Sequence, residues 1–438
     1  MNTSRLVSPK RFAGAGDVNM NSDLKDRYFA RNTFGISGVE VLWGIGLPLI
    51  IESTFLQLFL KSLGASNGVI GLIPAIMGTG IALFSLPAAY FTAHLVHKRR
   101  AVMLTHIMTS VPIFLFGAYL FATGKTSHTV SVFLGLYVLG SLGLGLTIPV
   151  WQNFTVKIFS EEKTIPALAV MLLCQTAAKL TGSFLILKFV EEFSFEPASA
   201  GLVFMALGGL FFAGTLFFLF VREFGAGEGA AAKEAHNIKT LARAVVSTLH
   251  NRNFILYLAG SVESLTCIAV ISFYAIYAAE FYAIPGSYAA GLFLVAINAA
   301  GILVIILFGW LNMFTLKNKL IAVRIFSLGA VACLLFARSL PFFLAASFLL
   351  GGSRAVSSLC HSPSVKKLSG MSDATDYFSV SQVFTLPLSF GIPVAAGFFL
   401  DRYAAWGTAS YRVLFGIAGL LIIASLACIL RIDFNDDK

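Results

Sequence analysis

The chain has 438 residues, of which 57% are hydrophobic and 12% are charged. Soluble domains carry about twice that charged fraction, so this composition excludes an ordinary soluble protein. The net charge of +10 would suit a nucleic-acid-binding protein, but the basic residues are distributed as membrane topology requires.

The hydropathy pattern predicts an all-α polytopic membrane protein with twelve transmembrane helices. A helix needs about 20 apolar residues to cross the hydrocarbon core of a bilayer, and the chain offers twelve such segments separated by short polar loops. The predicted spans, numbered in chain order, are residues 34–60, 68–92, 101–122, 130–156, 165–189, 200–221, 254–280, 288–311, 320–337, 342–362, 377–400 and 410–430.

The longest internal polar stretch divides these spans into two groups of six. It predicts a basic tail at 1–32, a six-helix bundle at 33–222, a linker at 223–252, a second six-helix bundle at 253–431 and a short tail at 432–438. The first tail lacks the apolar run of a cleavable signal peptide. We therefore expect the first retained span to direct insertion.

Most of the 31 Lys and Arg residues fall on one side of the predicted spans. That side holds the first tail, the basic cluster after span 2, the linker and the basic residues Lys317, Lys319 and Arg324 that follow span 8. Cytoplasmic loops are enriched in Lys and Arg, so we expect the linker and both termini to be cytoplasmic. The short loops further suggest that the protein lies in the plasma membrane of a bacterium, that is, in the bacterial inner membrane.

No motif in the sequence indicates a catalytic centre, a cofactor or a metal. The five cysteines lie in or at the ends of apolar segments, and none has the spacing of a metal site or of a disulfide framework. The chain has no phosphate-cradling glycine loop ending in Lys and Ser or Thr. We therefore predict no enzyme, and any uphill transport would be driven by an ion gradient or by the solute's own gradient.

The two halves of the chain look related to each other. Gly71 of span 2 matches Gly291 of span 8, and residues 155–160 after span 4 match residues 364–369 after span 10. Because the matches fall at equivalent points in the order of spans, they predict two pseudo-symmetric bundles. Such repeats are an architecture of secondary transporters.

On these features the chain resembles the major facilitator superfamily (MFS) over about residues 33–430. Residues 90–100 keep the basic cluster of the signature that the family has after span 2, without its two glycines and its acid, and residues 397–402 follow the Gly-x-x-x-Asp-Arg pattern after span 11. The resemblance implies a gating role for five residues at these two turns. They are Lys98, Arg99, Arg100, Asp401 and Arg402.

The resemblance also implies which helices surround a central cavity. Spans 1, 4, 7 and 10 would line it, spans 2, 5, 8 and 11 would flank it, and spans 3, 6, 9 and 12 would face lipid. A charged side chain near the middle of a span costs about 2.5–3.5 kcal/mol. Four such residues, Glu52, Lys179, Glu263 and Arg354, all fall in the first two groups, which predicts a hydrated path through the protein.

Each intramembrane charge has a functional interpretation and a structural one. The Arg354 guanidinium would bind a carboxylate or a phosphate of a solute, and it and Lys179 are expected to be the only central cations. Lys179 would contact the solute or pair with a glutamate. Glu52 and Glu263 would carry protons, since burial favours the neutral form of a carboxyl, or would pair structurally. We expect Glu40, near the start of span 1, to be interfacial.

Polar residues at the end of span 4 form a second candidate contact. Gln152 and Asn153 follow Pro149, and their amides would bind a solute or join helices. His361 stands at the matching end of span 10 and would be either a gate residue or an ordinary interfacial histidine.

Together these features predict a secondary active transporter that moves a small anionic or zwitterionic organic solute by alternating access, coupled to protons as a symporter or an antiporter. We expect a monomer whose partners are the solute, protons and the lipid bilayer, with no nucleic acid. Two alternatives stay open. One is efflux of drugs or hydrophobic cations that contact the glutamates, and the other is a transporter-like sensor or lipid-handling protein without solute flux.

Overall fold

The structure is a computed structural model that describes residues 24–51, 54–93, 97–223, 248, 250–311, 313–370 and 375–434. Among these residues, twelve helices are long and apolar enough to cross a membrane, which confirms the predicted number. Each begins or ends within several residues of the position that the hydropathy pattern predicts.

The first bundle contains spans 1 to 6. Span 1, predicted at 34–60, comprises two helices, and Glu52 lies outside the described residues. The helices are Phe29–Ile50 and Phe55–Ser62 in span 1, Asn67–Ala93 in span 2, Lys98–Thr123 in span 3, Thr129–Ile158 in span 4, Glu161–Phe193 in span 5, and Pro197–Leu216 with the 3₁₀ turn Phe217–Phe220 in span 6.

The second bundle contains spans 7 to 12. Span 7 is interrupted at Ser261, and span 8 has a π-helical turn at each end. The helices are Arg252–Gly260 and Val262–Phe281 in span 7, Tyr288–Leu292, Phe293–Val304 and Ile305–Trp310 in span 8, Leu316–Leu335 in span 9, Leu340–Ser369 in span 10, Thr375–Arg402 in span 11 and Thr408–Leu430 in span 12.

The same helix pairs pack in both halves of the molecule. Span 1 packs on span 5, span 2 on span 4, and span 3 on span 6, while span 7 packs on span 11, span 8 on span 10, and span 9 on span 12. Each partner in the second set stands six spans after its equivalent in the first. The fold is therefore a pair of pseudo-symmetric six-helix bundles.

Spans 2 and 11, and spans 5 and 8, pack against each other between the bundles. Glycines permit the close approach: a Cβ placed on Gly71 would lie 2.4 Å from the Pro393 carbonyl oxygen, and one on Gly291 would lie 2.5 Å from Leu187 Cα. Small residues let membrane helices pack backbone against backbone. The two glycines that suggested the internal repeat both lie at this interface.

We call the end of the molecule at which spans 1 and 7 begin the linker end, and the opposite end the far end. At the far end, the Asn67 and Gly68 amides donate to the two carboxylate oxygens of Asp401, with N–O distances of 2.9 and 2.6 Å. Lys61 Nζ lies 3.2 Å from Glu280 Oε1. These contacts tie the first bundle to the second at the far end.

Two further hydrogen bonds join the bundles deeper in the molecule. Thr54 Oγ1 donates to the Ala290 carbonyl at 2.9 Å, and Asn298 Nδ2 donates to Ser183 Oγ at 3.2 Å. Thr54 and Ala290 belong to the far half, and Asn298 lies near the middle of span 8. The polar contacts described between the bundles thus run from the far end to about the middle of the molecule.

Candidate functional site

A cavity of about 500 Å³ opens in the linker-end half of the second bundle. Spans 7, 9, 10 and 11 supply its walls, and small-molecule pockets are commonly about 300–1,000 Å³ in volume. Hydroxyl groups dominate its polar surface. They belong to Ser261, Ser264, Ser353, Ser357, Ser358, Ser362, Ser381 and Thr385.

Arg354 is a cation of this cavity. Its side chain is half-buried, and among the described residues the guanidinium has no hydrogen-bond acceptor or ion-pair partner. Gly351, which precedes it on span 10, lets that helix touch span 8: a Cβ there would lie 2.2 Å from the Ile297 carbonyl oxygen. An arginine with five N–H donors and no internal acceptor is suited to bind an anion.

Glu263 lies in the wall of the same cavity and is 0% exposed. Ser327 donates to its Oε1, which Ser353 Oγ and Cys267 Sγ also approach at 3.0 and 3.2 Å. Ser264 Oγ lies 3.3 Å from Oε2. Three donors thus meet Oε1 and one meets Oε2 of this carboxylate, whose oxygens act only as acceptors when it is ionised.

Arg324 is a buried cation that the sequence did not place near the centre of a span. The sequence counts it among the charges that follow span 8, but span 9 begins at Leu316 and Arg324 lies near its centre, 3% exposed. The predictions that spans 3, 6, 9 and 12 carry no central charge, and that Lys179 and Arg354 are the only central cations, are wrong for the same reason. Arg324 interacts electrostatically with Glu263.

The partners of Arg324 explain why a charge is tolerated at that depth. Its Nη2 donates to the Gly260 carbonyl at 2.7 Å, and Ser425 Oγ donates to the same oxygen at 2.5 Å. Gly260 ends the first helix of span 7, so its carbonyl is one that the helix leaves without an intrahelical partner. Side chains of spans 9 and 12 thus satisfy the carbonyl group that the interruption of span 7 leaves free.

His361 also lines the cavity, beside Tyr257 of span 7. The Tyr257 hydroxyl and His361 Nδ1 are 3.0 Å apart. His361 therefore belongs to the candidate site. The sequence alone did not distinguish a gate position from an interfacial one for this residue.

The first bundle has a carboxylate at the position equivalent to Glu263. Glu40 and Glu263 lie at the same distance along spans 1 and 7, counted from Phe29 and Arg252. Glu40 is 9% exposed and accepts a hydrogen bond from Gln175 Nε2, so the interfacial position expected for it is wrong. Lys179 lies one helical turn after Gln175 on span 5 and interacts electrostatically with Glu40.

Gln152, a further predicted solute contact, is not among the lining residues of the cavity in the second bundle. The Gln152 side chain is exposed, and the Asn153 side chain and Glu52 fall outside the described residues. A second cavity, of about 40 Å³, lies wholly in the first bundle, and its walls are largely apolar. The polar cavity therefore belongs to the second bundle.

The basic turn after span 2 contains a carboxylate that the sequence analysis missed. Glu223, which follows span 6, accepts hydrogen bonds from the Lys98 and Arg99 amides at 2.7 and 3.0 Å and from Lys157 Nζ at 2.6 Å. The acid that the family signature has in this turn is absent from it, and Glu223 supplies one from another part of the chain. Arg100 is exposed.

The surroundings of Glu223 favour its ionised form. Burial on its own would raise the pKa of the carboxyl, but the hydrogen bonds from Lys157 and from the two amides of span 3 outweigh it and bring the pKa below its usual value. The carboxylate also stands at a helix N-terminus, where the helix dipole favours negative charge.

The turn after span 11 joins the bundles. Asp401 holds the first two amides of span 2, as described above, and the exposed Arg402 has its Cζ 5.9 Å from the centre of the Tyr403 ring. Of the five residues predicted to gate, Asp401 is thus the one that contacts the opposite bundle through hydrogen bonds described here.

The comparisons with known proteins agree with this architecture. The model of the Major Facilitator Superfamily matches residues 42–365. No curated protein matches the sequence. Among solved structures, the nucleoside transporter NupG has a TM-score of 0.66 and 12% identity, with 92% of this chain and 99% of that one covered.

Two other similar structures are of different transporters. A POT family transporter in complex with 5-aminolevulinic acid has a TM-score of 0.65 and 11% identity over 93% of this chain and 96% of its own. A bacterial homolog of the human lysosomal transporter Spinster has a TM-score of 0.60 and 14% identity over 93% and 94%. At these identities the likeness concerns the fold, and together with the family match it shows that the chain belongs to the Major Facilitator Superfamily.

Proposed function

We propose that this protein is a secondary active transporter that moves a small organic anion or zwitterion by alternating access, coupled to protons. The observation that carries the proposal is Arg354, a guanidinium without an internal acceptor in a cavity of suitable volume. A half-buried cation gains from a partner of opposite charge, and a solute carboxylate or phosphate would provide one.

The distribution of contacts between the bundles supports alternating access. Hydrogen bonds and an ion pair close the far end, while the cavity lies in the linker-end half. The opposite state would release Asp401 from the amides of span 2 and bring the linker ends of the bundles together. With the linker and both termini in the cytoplasm of a bacterial cell, the described state would face inward.

Glu263 is the described candidate for proton coupling. Its four donors stabilise the carboxylate, and one of them, Ser353, precedes Arg354 in the chain. Protonation would turn an acceptor of hydrogen bonds into a donor, so the Ser353 contact would have to change. That change would reach Arg354 directly, which would link proton uptake to anion affinity.

The test is uptake by proteoliposomes that contain purified protein, with a panel of labelled organic anions and zwitterions and an imposed pH gradient. Arg354→Ala should lower uptake of the accepted solute at least tenfold, because charge-assisted hydrogen bonds contribute about 1.5–3 kcal/mol each. Arg338→Ala, which removes an exposed arginine between spans 9 and 10, is the matched control. Equal uptake by both variants would contradict the role of Arg354.

The coupling is tested in the same vesicles. Glu263→Gln should keep solute counterflow and lose accumulation driven by the pH gradient, since glutamine binds no proton in this range. If Glu263→Gln accumulates solute as the natural protein does, the coupling lies elsewhere. Glu52→Gln would then be the next variant.

A further inference from the structure

We infer that the solute is a hydroxylated organic anion that carries no ammonium group. This inference rests on the proposed function and narrows it, because zwitterions such as amino acids and cationic compounds would both be poor ligands. The charges and the free hydroxyl groups of the cavity in the second bundle favour such a solute.

The charges of the cavity favour an anion over a zwitterion. Arg354 is free to bind an acidic group, whereas Glu263 is the one carboxylate among the described lining residues. Glu263 is fully buried, three side-chain donors meet its Oε1 and one meets its Oε2, and Arg324 supplies a compensating charge. An ammonium group in this cavity would thus lose water and find no available carboxylate, which is costly.

The free hydroxyls favour a solute that can itself donate and accept hydrogen bonds. Serine in a helix commonly bonds to a backbone carbonyl of the preceding turn, as Ser261 does to Tyr257. Ser358 and Ser362, however, are exposed to the cavity and make no hydrogen bond among the described residues. Both are available to a ligand.

The free groups stand in one row. Arg354, Ser358 and Ser362 are spaced four residues apart on the continuous helix of span 10, so they project from the same face. Eight residues of helix rise by about 12 Å. A solute with its acidic group at Arg354 and hydroxyl groups along its length would match this row, and an aliphatic acid would leave the two serines without partners.

A panel of six-carbon compounds tests the inference by binding to the purified, full-length protein in detergent, measured by calorimetry. Gluconate and glucose 6-phosphate carry an acidic group with hydroxyls, and they distinguish a carboxylate from a phosphate. Hexanoate lacks the hydroxyls, sorbitol lacks the charge, and glucosaminate adds an ammonium group. We expect gluconate or glucose 6-phosphate to bind at least tenfold more tightly than the other three compounds.

Two variants examine the row itself. Ser358→Ala with Ser362→Ala should weaken the better hydroxylated anion about tenfold, as neutral hydrogen bonds contribute modestly, and should leave hexanoate unaffected. The control is Ser127→Ala with Ser339→Ala, at exposed far-end serines, which should change neither. Retained binding of hexanoate in the first variant would show that the cavity is intact.

The outcomes separate this inference from the proposed function. The solute class is overturned if hexanoate, sorbitol or glucosaminate binds as tightly as the better of gluconate and glucose 6-phosphate, or if neither of these two binds. Uptake of another solute class in proteoliposomes would then leave the transporter standing. Tight binding of a hydroxylated anion without uptake in proteoliposomes supports the solute class and contradicts transport.

Discussion

Replacing Asp401 by asparagine should loosen the far end of the molecule. The Asp401 carboxylate accepts from two amides of the opposite bundle, Asn67 and Gly68, at 2.9 and 2.6 Å. Asparagine keeps one oxygen acceptor and turns an N–H₂ group toward the second amide. One charge-assisted bond becomes a neutral one, and the other is lost to water.

The magnitude follows from these two bonds. Hydrogen bonds to charged groups contribute about 1.5–3 kcal/mol and neutral ones about 0.5–1.5 kcal/mol, and partial hydration at the helix end reduces the difference. A net loss of about 1.5 kcal/mol is then reasonable, which is about tenfold in a conformational equilibrium. The population with an open far end should rise by that factor relative to the closed one.

Distances between paired spin labels, measured by double electron–electron resonance, report this population. In a cysteine-free background, labels at Ser66 and Ala405 report on the far end, and labels at Arg100 and Lys366 report on the linker end; all four positions are exposed. Asp401→Asn should increase the long-distance fraction of the first pair and the short-distance fraction of the second.

Glu196→Gln is the matched control for this experiment. Glu196 also caps a helix, since the Ser199 amide donates to its Oε2 at 2.7 Å, but helix and cap belong to the same bundle. This variant should lose a similar contact without moving the bundles. If both variants give the same distance distributions, the Asp401 contact does not hold the far end closed and the reasoning is wrong.

Two further predictions concern contacts at the ends of the helices. Glu223→Gln should lower the free energy of unfolding at pH 7 by about 1–2 kcal/mol, because a charged acceptor for Lys157 is lost. The pKa of Glu223 in the folded protein lies below the usual 4.5, so its stabilisation is complete above pH 4.5 and is lost as the pH falls through the lowered value. The thermal melting temperatures of the natural protein and of Glu223→Gln should therefore converge at low pH. A difference between them that grows with acidity would contradict the assignment. Gly71→Val should hold the far end open, because its Cβ would meet the Pro393 carbonyl oxygen at 2.4 Å. Gly135→Val, at a site with open space, is the control and should leave the spin-label distances unchanged. If both variants show the far-end distance of the closed state, the contact at Gly71 does not act as described.

The sequence could predict the number and order of the helices because the bilayer constrains them strongly. A span must be about 20 residues long, and its charges must face protein or water, so composition alone reveals it. The internal repeat was visible at Gly71 and Gly291, and the structure shows why both are glycines. The roles of Arg354 and Glu263 stay predictions, although the structure places both in the walls of one cavity.

Partners that are distant in the chain decided the rest. Arg324 looked like one more charge at the end of a span because its neighbours Lys317 and Lys319 are basic, and spans 7 and 12 supply the distant acceptors that hold it. Glu40 looked interfacial until Gln175 of span 5 was placed against it.

The sequence by itself determined a polytopic helical protein of two related bundles, since bilayer thickness and charge burial act on each span separately. The tertiary structure decided which polar groups are occupied and which are free. Glu263 accepts from side chains of three different spans, whereas Ser358 and Ser362 make no hydrogen bond among the described residues. Hydrogen bonding is short-ranged and directional, so it depends on the packing of helices whose contacts no single span encodes.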